Sequence, residues 1–354
     1  MRKIVLVIVV GLFAAAGWLA WALLSLTAPP AQTIVLLHPG YSTRRIASEL
    51  KSAGVIRSAA AFLLWDYFHR QRSLKAGEYL FEKPADTIDI HNRLARGDVY
   101  FHTVVVPEGF NMFDIARAIE TAGLGPAEDF LKVAQSDTAL IADLAPAAHS
   151  LEGYLFPDTY EFTRMMTMQD IAAAMVKQFR QVARQIGLTT DETSTAPSAG
   201  AIAQDSTSGS PSRSLKNDDP KRTVIVASIV EKETAVADER PIVASVYCNR
   251  LAKKIALDAD PSVIYAELLA GTYSGALHHD DMQFRSPYNT YKYVGLPPGP
   301  IGNPGKSALE AAMHPAQTDY YYFVADAQGH HRFARTIEEH NKNVAAYRRA
   351  VREQ

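Results

Sequence analysis

Cysteine is all but missing from this chain: Cys248 is the single one among 354 residues. No disulfide can form within the chain, so cysteine usage says little about its redox compartment. Tyr247 and Asn249 flank the thiol and give it no activating neighbour, which makes a small buried side chain the expected role of Cys248. An excess of one charge is also lacking. A formal net charge of −2 gives no electrostatic basis for a nucleic-acid partner. Metal-ligand spacing is missing too. His278, His279, Asp280 and Asp281 are adjacent, adjacent residues rarely converge on one ion, and no HExxH pattern occurs, so a polar loop is expected, with no metal and no cofactor.

What the chain has is enough apolar material, 47% of its residues, for two folded domains with separate cores. It also has one long uncharged run. Arg2 and Lys3 precede residues 4–26, which as a helix would extend about 34 Å, sufficient to cross a bilayer core. The apolar region of a cleaved signal peptide is usually about 7–15 residues, so a retained anchor is expected. The basic tip, residues 1–3, should then be cytoplasmic and the rest of the chain extracytoplasmic.

Two later segments resemble each other, TIVLLHPGYSTRRIASELKSAGVI from Thr33 and HTVVVPEGFNMFDIARAIETAGLG from His102. Gly40 aligns with Gly109, Ile46 with Ile115, Leu50 with Ile119 and Gly54 with Gly123. Each copy reads as a strand, a Gly turn and an amphipathic helix closed by Gly, with Ser42 or Asn111 at the N-cap. Lys75 to Phe81 reads as a further strand, and 169–186 as a helix packing Ile171, Met175, Phe179, Val182 and Ile186 on a core. Residues 189–219 are rich in Ser, Thr, Asp, Gly and Pro, too polar to order themselves, and are expected to be a surface insertion.

The segment VIVASIVEKE, from Val224 to Glu233, carries the chemistry. An apolar run meets two carboxylates at its end, where scarce water raises the pKa of a carboxyl group toward neutrality. Periodicity leaves a buried helix or a buried strand open, with the helix favoured. On a helix Glu231 and Glu233 point about 200° apart, so either one acts while the other supports it or is solvated, or both form a solvated helix end, the reading that the residues taken alone favour. Pro241 and Pro261 mark the starts of the next two helices, with Asp260 either an N-cap or a substrate ligand. Tyr288, Asn289, Thr290 and Tyr291 precede LPPGPIGNP, a stiff loop suited to the wall of a sugar site. YYYFVA and HHRFA flank a hairpin turn at 326–329, and Thr336 and Glu339 have capping-box spacing for a last helix.

Taken together, ASIVEKETAVADERPIVASVYCNRL, ADPSVIYAE, SPYNTY, GLPPGPIGNPG, HPA and YYYFVA resemble the MltG (YceG-like) family of endolytic murein transglycosylases. The resemblance implies an α+β protein with a transmembrane helix at 4–26, a LysM-like βα domain at 33–148 and a YceG-like catalytic domain at 149–354. It implies a lytic transglycosylase that cleaves the bond between N-acetylmuramic acid and N-acetylglucosamine within peptidoglycan strands and leaves 1,6-anhydro ends. The catalytic acid falls on Glu233. The matching motifs place the substrate-binding set on Glu231, Asn249, Asp260, Ser262, Tyr265, Tyr288, Asn289, Tyr291 and Asn303. Implied partners are peptidoglycan glycan strands, the inner membrane through 4–26, and peptidoglycan synthases. Two other readings stay open at this point, a hydrolytic muramidase and a non-catalytic peptidoglycan-binding scaffold.

Overall fold

The computed structural model describes residues 2–29, 31–69, 73–189 and 219–352. The insertion expected at 189–219 lies, except for its two end residues, outside the described residues. The chain is α+β and separates into two compact units, Met1–Thr103 with Glu161–Thr167, and Val104–Tyr160 with Met168–Gln354.

The first unit begins with helix α1 (Arg2–Leu24), one helix long and apolar enough to cross a membrane. Strand β1 (Thr33–Leu37), helix α2 (Thr43–Ser52), helix α3 (Ala59–Phe68), strand β2 (Gly77–Phe81) and helix α4 (Thr87–Arg96) follow. β1 and β2 pair antiparallel, with Thr33 opposite Phe81 and Leu37 opposite Gly77. Alternation along β1 turns Val35 and Leu37 inward, where they meet Ile46 and Leu50 of α2, Phe62 of α3 and Ile90 and Leu94 of α4. Glu78, fully buried on β2, has Oε2 hydrogen-bonded to His102 Nε2 at 3.0 Å and Oε1 3.2 Å from Arg164, an ion pair without hydrogen-bond geometry that offsets the burial of its charge.

Strand β3 (His102–Val105) leads to helix α5 (Met112–Thr121) and helix α6 (Ala127–Ser136). Next come strand β4 (Thr159–Phe162), helix α7 (Met168–Gln185), helix α8 (Pro220–Glu233), helix α9 (Arg240–Ala252), helix α10 (Asp260–Ala270) and helix α11 (Lys306–Met313). Strand β5 (Tyr322–Ala325), strand β6 (His331–Ala334) and helix α12 (Ile337–Arg352) complete the described chain. β3 pairs with β4, and β5 with β6 as an antiparallel hairpin.

The two similar segments carry the same local hydrogen bonds. Ser42 accepts from the Arg45 N–H, and Asn111 accepts from the Phe113 and Asp114 N–H groups. Gly40 and Gly109 both adopt a left-handed φ, of 83° and 79°, which only glycine takes without a Cβ clash. After each helix the same closure recurs: Gly54 N–H donates to Lys51 and Val55 N–H to Leu50, as Gly123 donates to Glu120 and Leu124 to Ile119.

The second unit is built around α8. Residues Thr223 to Val230 are buried on every face, against α9, α10 and α11. The apolar run is therefore a central helix rather than a strand. Its start is fixed by Asp219, whose side chain accepts from Lys221 N–H, and by Pro220 in the first turn, where a missing N–H costs nothing.

Candidate active site

α8 ends at Glu233, and the chain turns extended at Thr234. The two acids of the last turn face different partners, as the 200° offset requires. The Glu231 side chain is buried; its Oε1 accepts from an Arg240 guanidinium nitrogen at 2.7 Å and its Oε2 from the Gly305 N–H at 2.9 Å. Burial pushes its pKa up, while the Gly305 N–H and Arg240 act in the opposite direction. With both oxygens held, Glu231 ties the end of α8 to the start of α9 and to the loop before α11.

Glu233 is placed differently. The residue keeps some exposed surface, yet its carboxyl is enclosed enough that lost hydration raises its pKa to about 7. The Tyr247 hydroxyl of α9 donates to Oε1 at 2.8 Å and opposes that shift, as Arg250 does, whereas the negative charge of Asp260 reinforces it. A carboxyl poised near neutrality and open on one side can hold a proton, release it, and take one back.

Asp260 and Tyr291 complete the polar surround. Asp260 is exposed at the first position of α10, whose N-cap is Ala259 and has no side-chain cap. Asp260 does not act as the N-cap; its Oδ1 accepts from the Tyr291 hydroxyl instead. That hydroxyl is held protonated by burial and by the Asp260 bond, with Glu233 adding to the local negative field.

The remaining candidates divide by burial. Ser262, Asn289 and Asn303 are fully buried. Ser262 donates to Ala259 O at 2.6 Å and sits 2.8 Å from the Thr290 hydroxyl. The Asn289 amide donates to Met282 O and Phe284 O and accepts from Tyr291 N–H, which aims the 288–291 turn. Asn303 donates to Phe110 O and Glu152 Oε1 and accepts from Leu155 N–H. Asn249 donates to Thr318 O and Tyr320 O, both at 2.9 Å. Tyr265 is buried against Tyr288, ring centroids 5.1 Å apart, with its hydroxyl hydrogen-bonded to Glu152. Tyr288 retains partial exposure.

Three contributors were not legible beforehand. In the sequence Tyr247 stands out only as a neighbour of Cys248, and nothing local pairs it with an acid fourteen positions earlier. Arg240 shows in sequence only as part of a helix start. Glu152 is fully buried with a pKa raised to about 7 by burial; its one sequence signal is an acid set between Leu151 and Gly153 in an otherwise apolar stretch.

The GPIGNPG loop is clamped to α8. Ile301 N–H donates to Ser228 Oγ at 3.1 Å, and Gly305 N–H to Glu231. Gly153 must be glycine here: its φ is +88°, and a Cβ would meet Pro300 Cγ at 2.4 Å and Val224 Cγ1 at 2.9 Å. The stiff loop, the buried helix and the desolvated acid are thus one packed assembly.

An α+β unit with a single half-enclosed carboxyl beside aromatic hydroxyls is chemically suited to proton transfer by one group. The YceG-like family model matches residues 35–346, and the chain belongs to that family. It is 33% identical over 324 residues, 87% of this chain and 82% of the relative, to a protein of Bacillus subtilis (strain 168) named endolytic murein transglycosylase. A Streptococcus pneumoniae (D39) protein of the same name is 28% identical, with 87% of this chain aligned to 57% of that longer relative. A crystal structure of a yceG-like protein from Listeria monocytogenes superposes with a TM-score of 0.54 at 31% identity, covering 88% of this chain and 98% of that one.

Proposed function

We propose that this protein is an endolytic murein transglycosylase in which Glu233 serves in turn as proton donor and proton acceptor. The observation that carries the reading is the Glu233 carboxyl itself, raised to about 7 by desolvation at the end of a buried helix. At neutral pH a large fraction of it is protonated and able to protonate the oxygen leaving the anomeric carbon. Positive charge then builds on the muramic acid ring. The new carboxylate of Glu233 accepts the proton of that sugar's 6-hydroxyl as its oxygen bonds to the anomeric carbon, closing a 1,6-anhydro ring. The two proton transfers cancel, so the glutamate ends as it began and no water is consumed. Because the nucleophile belongs to the substrate, no second carboxylate is required.

Asp260 and Tyr291 are assigned to substrate contact beside Glu233, with which both interact electrostatically, and Tyr288, which also keeps exposed surface, to the wall formed by the 288–291 turn. Glu231, Asn249, Ser262, Tyr265, Asn289 and Asn303 act by holding the elements that form it. The LysM-like reading of 33–148 and the catalytic reading of 149–354 belong to the same proposal, with the strand–helix–helix–strand order of the first unit in favour of a small glycan-binding module. So do anchoring of 4–26 in the inner membrane, an extracytoplasmic catalytic unit, and peptidoglycan synthases as neighbours in strand synthesis.

A hydrolytic reading has one observation on its side: Asp260 stands close enough to bias Glu233 electrostatically, as the second carboxylate of a muramidase would. Its engagement by Tyr291 favours a fixed negative charge over a water-activating base.

Purified glycan strands digested by the full chain and by Glu233→Gln, with products weighed by mass spectrometry, test both readings. Anhydro-ended fragments are expected from the native protein, with a loss of roughly 10³-fold or more in the variant. Products heavier by one water would establish hydrolysis, and undiminished cleavage by Glu233→Gln would remove the glutamate from the mechanism.

A further inference from the structure

Helix α3 has the sequence AAAFLLWDYF and carries one charge, Asp66. That charge is turned inward, with Oδ1 at 3.0 Å from His91 Nε2 on α4. Ala61 and Phe62 are buried beneath the helix. On its outer side Ala60, Leu64, Tyr67 and Phe68 recur at helical spacing, and all four are exposed, the last three by 41%, 55% and 72%. A stripe this apolar, on a helix whose only charge is sequestered, is poorly suited to water.

Its location names what covers it. Ala61 and Trp65 pack against Leu19, Ala22 and Leu23 of α1, with Ile88 in the same cluster. This seat is made rigid by hydrogen bonds. Thr87 Oγ1 donates to Ala22 O at 3.1 Å, Thr27 and Ala85 exchange both backbone hydrogen bonds at 2.9 and 3.2 Å, and Arg57 donates to Leu26 O at 3.0 Å with its guanidinium 5.2 Å from the Trp21 ring. Leu19 stands little more than one turn before Leu24, about 8 Å along the axis. The apolar run of about 34 Å only just exceeds a hydrocarbon core of about 30 Å, so the turns of α1 that hold α3 lie at the core boundary and in the headgroup layer. Trp18 and Trp21, exposed by 49% and 56% on α1, are residues that favour that depth.

We propose that the exposed face of α3 lies in the lipid headgroup layer, continuous with the lipid-facing surface of α1, so that the first unit is seated on the bilayer rather than tethered above it. The proposal rests on the membrane-anchor reading of α1. The aromatic end of α3, Tyr67 and Phe68, enters the acyl boundary, as the apolar face of an interfacial helix does to a depth of about 5–10 Å.

The test uses the full chain with Cys248→Ser, reconstituted in vesicles of phosphatidylethanolamine and phosphatidylglycerol. Nitroxides are placed at Leu64→Cys, Phe68→Cys, Val9→Cys in α1 and Lys51→Cys on the exposed side of α2, and collision with oxygen is compared with collision with a water-soluble nickel chelate. Positions 64, 68 and 9 are expected to favour oxygen several-fold over position 51. Lipid values at 9 with aqueous values at 64 and 68 overturn the seating and leave the anchor standing. Aqueous values at 9 overturn the anchor reading, and the seating falls with it. Labels at 64 and 68 shielded from both reagents show that protein, such as a second copy of the chain, covers the stripe, and this too overturns the proposal.

Discussion

The Tyr247 hydroxyl sets how readily Glu233 parts with its proton. It donates to the ionised carboxylate at 2.8 Å and so offsets part of the rise that burial causes. Hydrogen bonds to charged groups contribute about 1.5–3 kcal/mol, and one pKa unit corresponds to about 1.4 kcal/mol. In Tyr247→Phe the pKa of Glu233 should therefore climb by about 1 unit or more. If the acid form starts the reaction, activity falls as pH rises through that pKa. The alkaline limb of kcat/KM should move upward by the same interval, with the fold intact by circular dichroism. An unmoved limb would mean that another group sets the profile. Glu231, two positions away, has no comparable freedom because both its oxygens are already taken.

At the scale of elements, the site depends on how α8, α9 and the loop before α11 are fastened together. The Glu231–Arg240 pair does this with side chains only 5% and 7% exposed. Removing one member of such a pair leaves a buried charge without its partner, at a cost of about 3–5 kcal/mol. Arg240→Ala should therefore lower the urea midpoint by that equivalent and loosen the start of α9 from the end of α8. A loss under about 1 kcal/mol, the range of exposed ion pairs, would show that water reaches the pair. The helices themselves needed no such help to be recognised. Ser42 and Asn111 stand where their chemistry places helix starts, and glycine follows the helices in both similar segments, whereas Asp219, read as the end of a polar insertion, proves with Pro220 to start α8. Asp260 was ambiguous because an acid before proline reads as a cap; the cap position went to Ala259, and tertiary packing gave the carboxylate to Tyr291.

Across the whole molecule, two carboxyls in the second unit are raised to about 7, Glu152 and Glu233. Each binds a proton more tightly when folded than when unfolded, where its pKa is about 4.5. The folded state thus holds extra protons between about pH 4.5 and 7, and stability falls as pH rises through that window and levels off above it. Each group contributes up to about 1.4 kcal/mol per pH unit. Urea titrations at pH 5 and pH 7.5 should show the decline, and Glu152→Gln should reduce its slope by about half while leaving the Glu233 part in place. An equal slope in the variant would remove Glu152 from this account.

Order along the chain suffices for whatever depends on near neighbours: the capped starts and glycine closures of the two similar segments, that residues near the N-terminus can span a bilayer, that an apolar run ends in two acids facing apart, and which family the motifs belong to. Which acid is tied down and which is poised emerges from packing alone. Desolvation and hydrogen bonding are set by atoms brought close in space. Tyr247 meets Glu233 from the next helix, Gly305 meets Glu231 from a loop far along the chain, and Asn303 links Phe110 and Glu152 from two other segments. No spacing rule relates such positions, because their proximity arises from packing around α8 and not from the pitch of any one element.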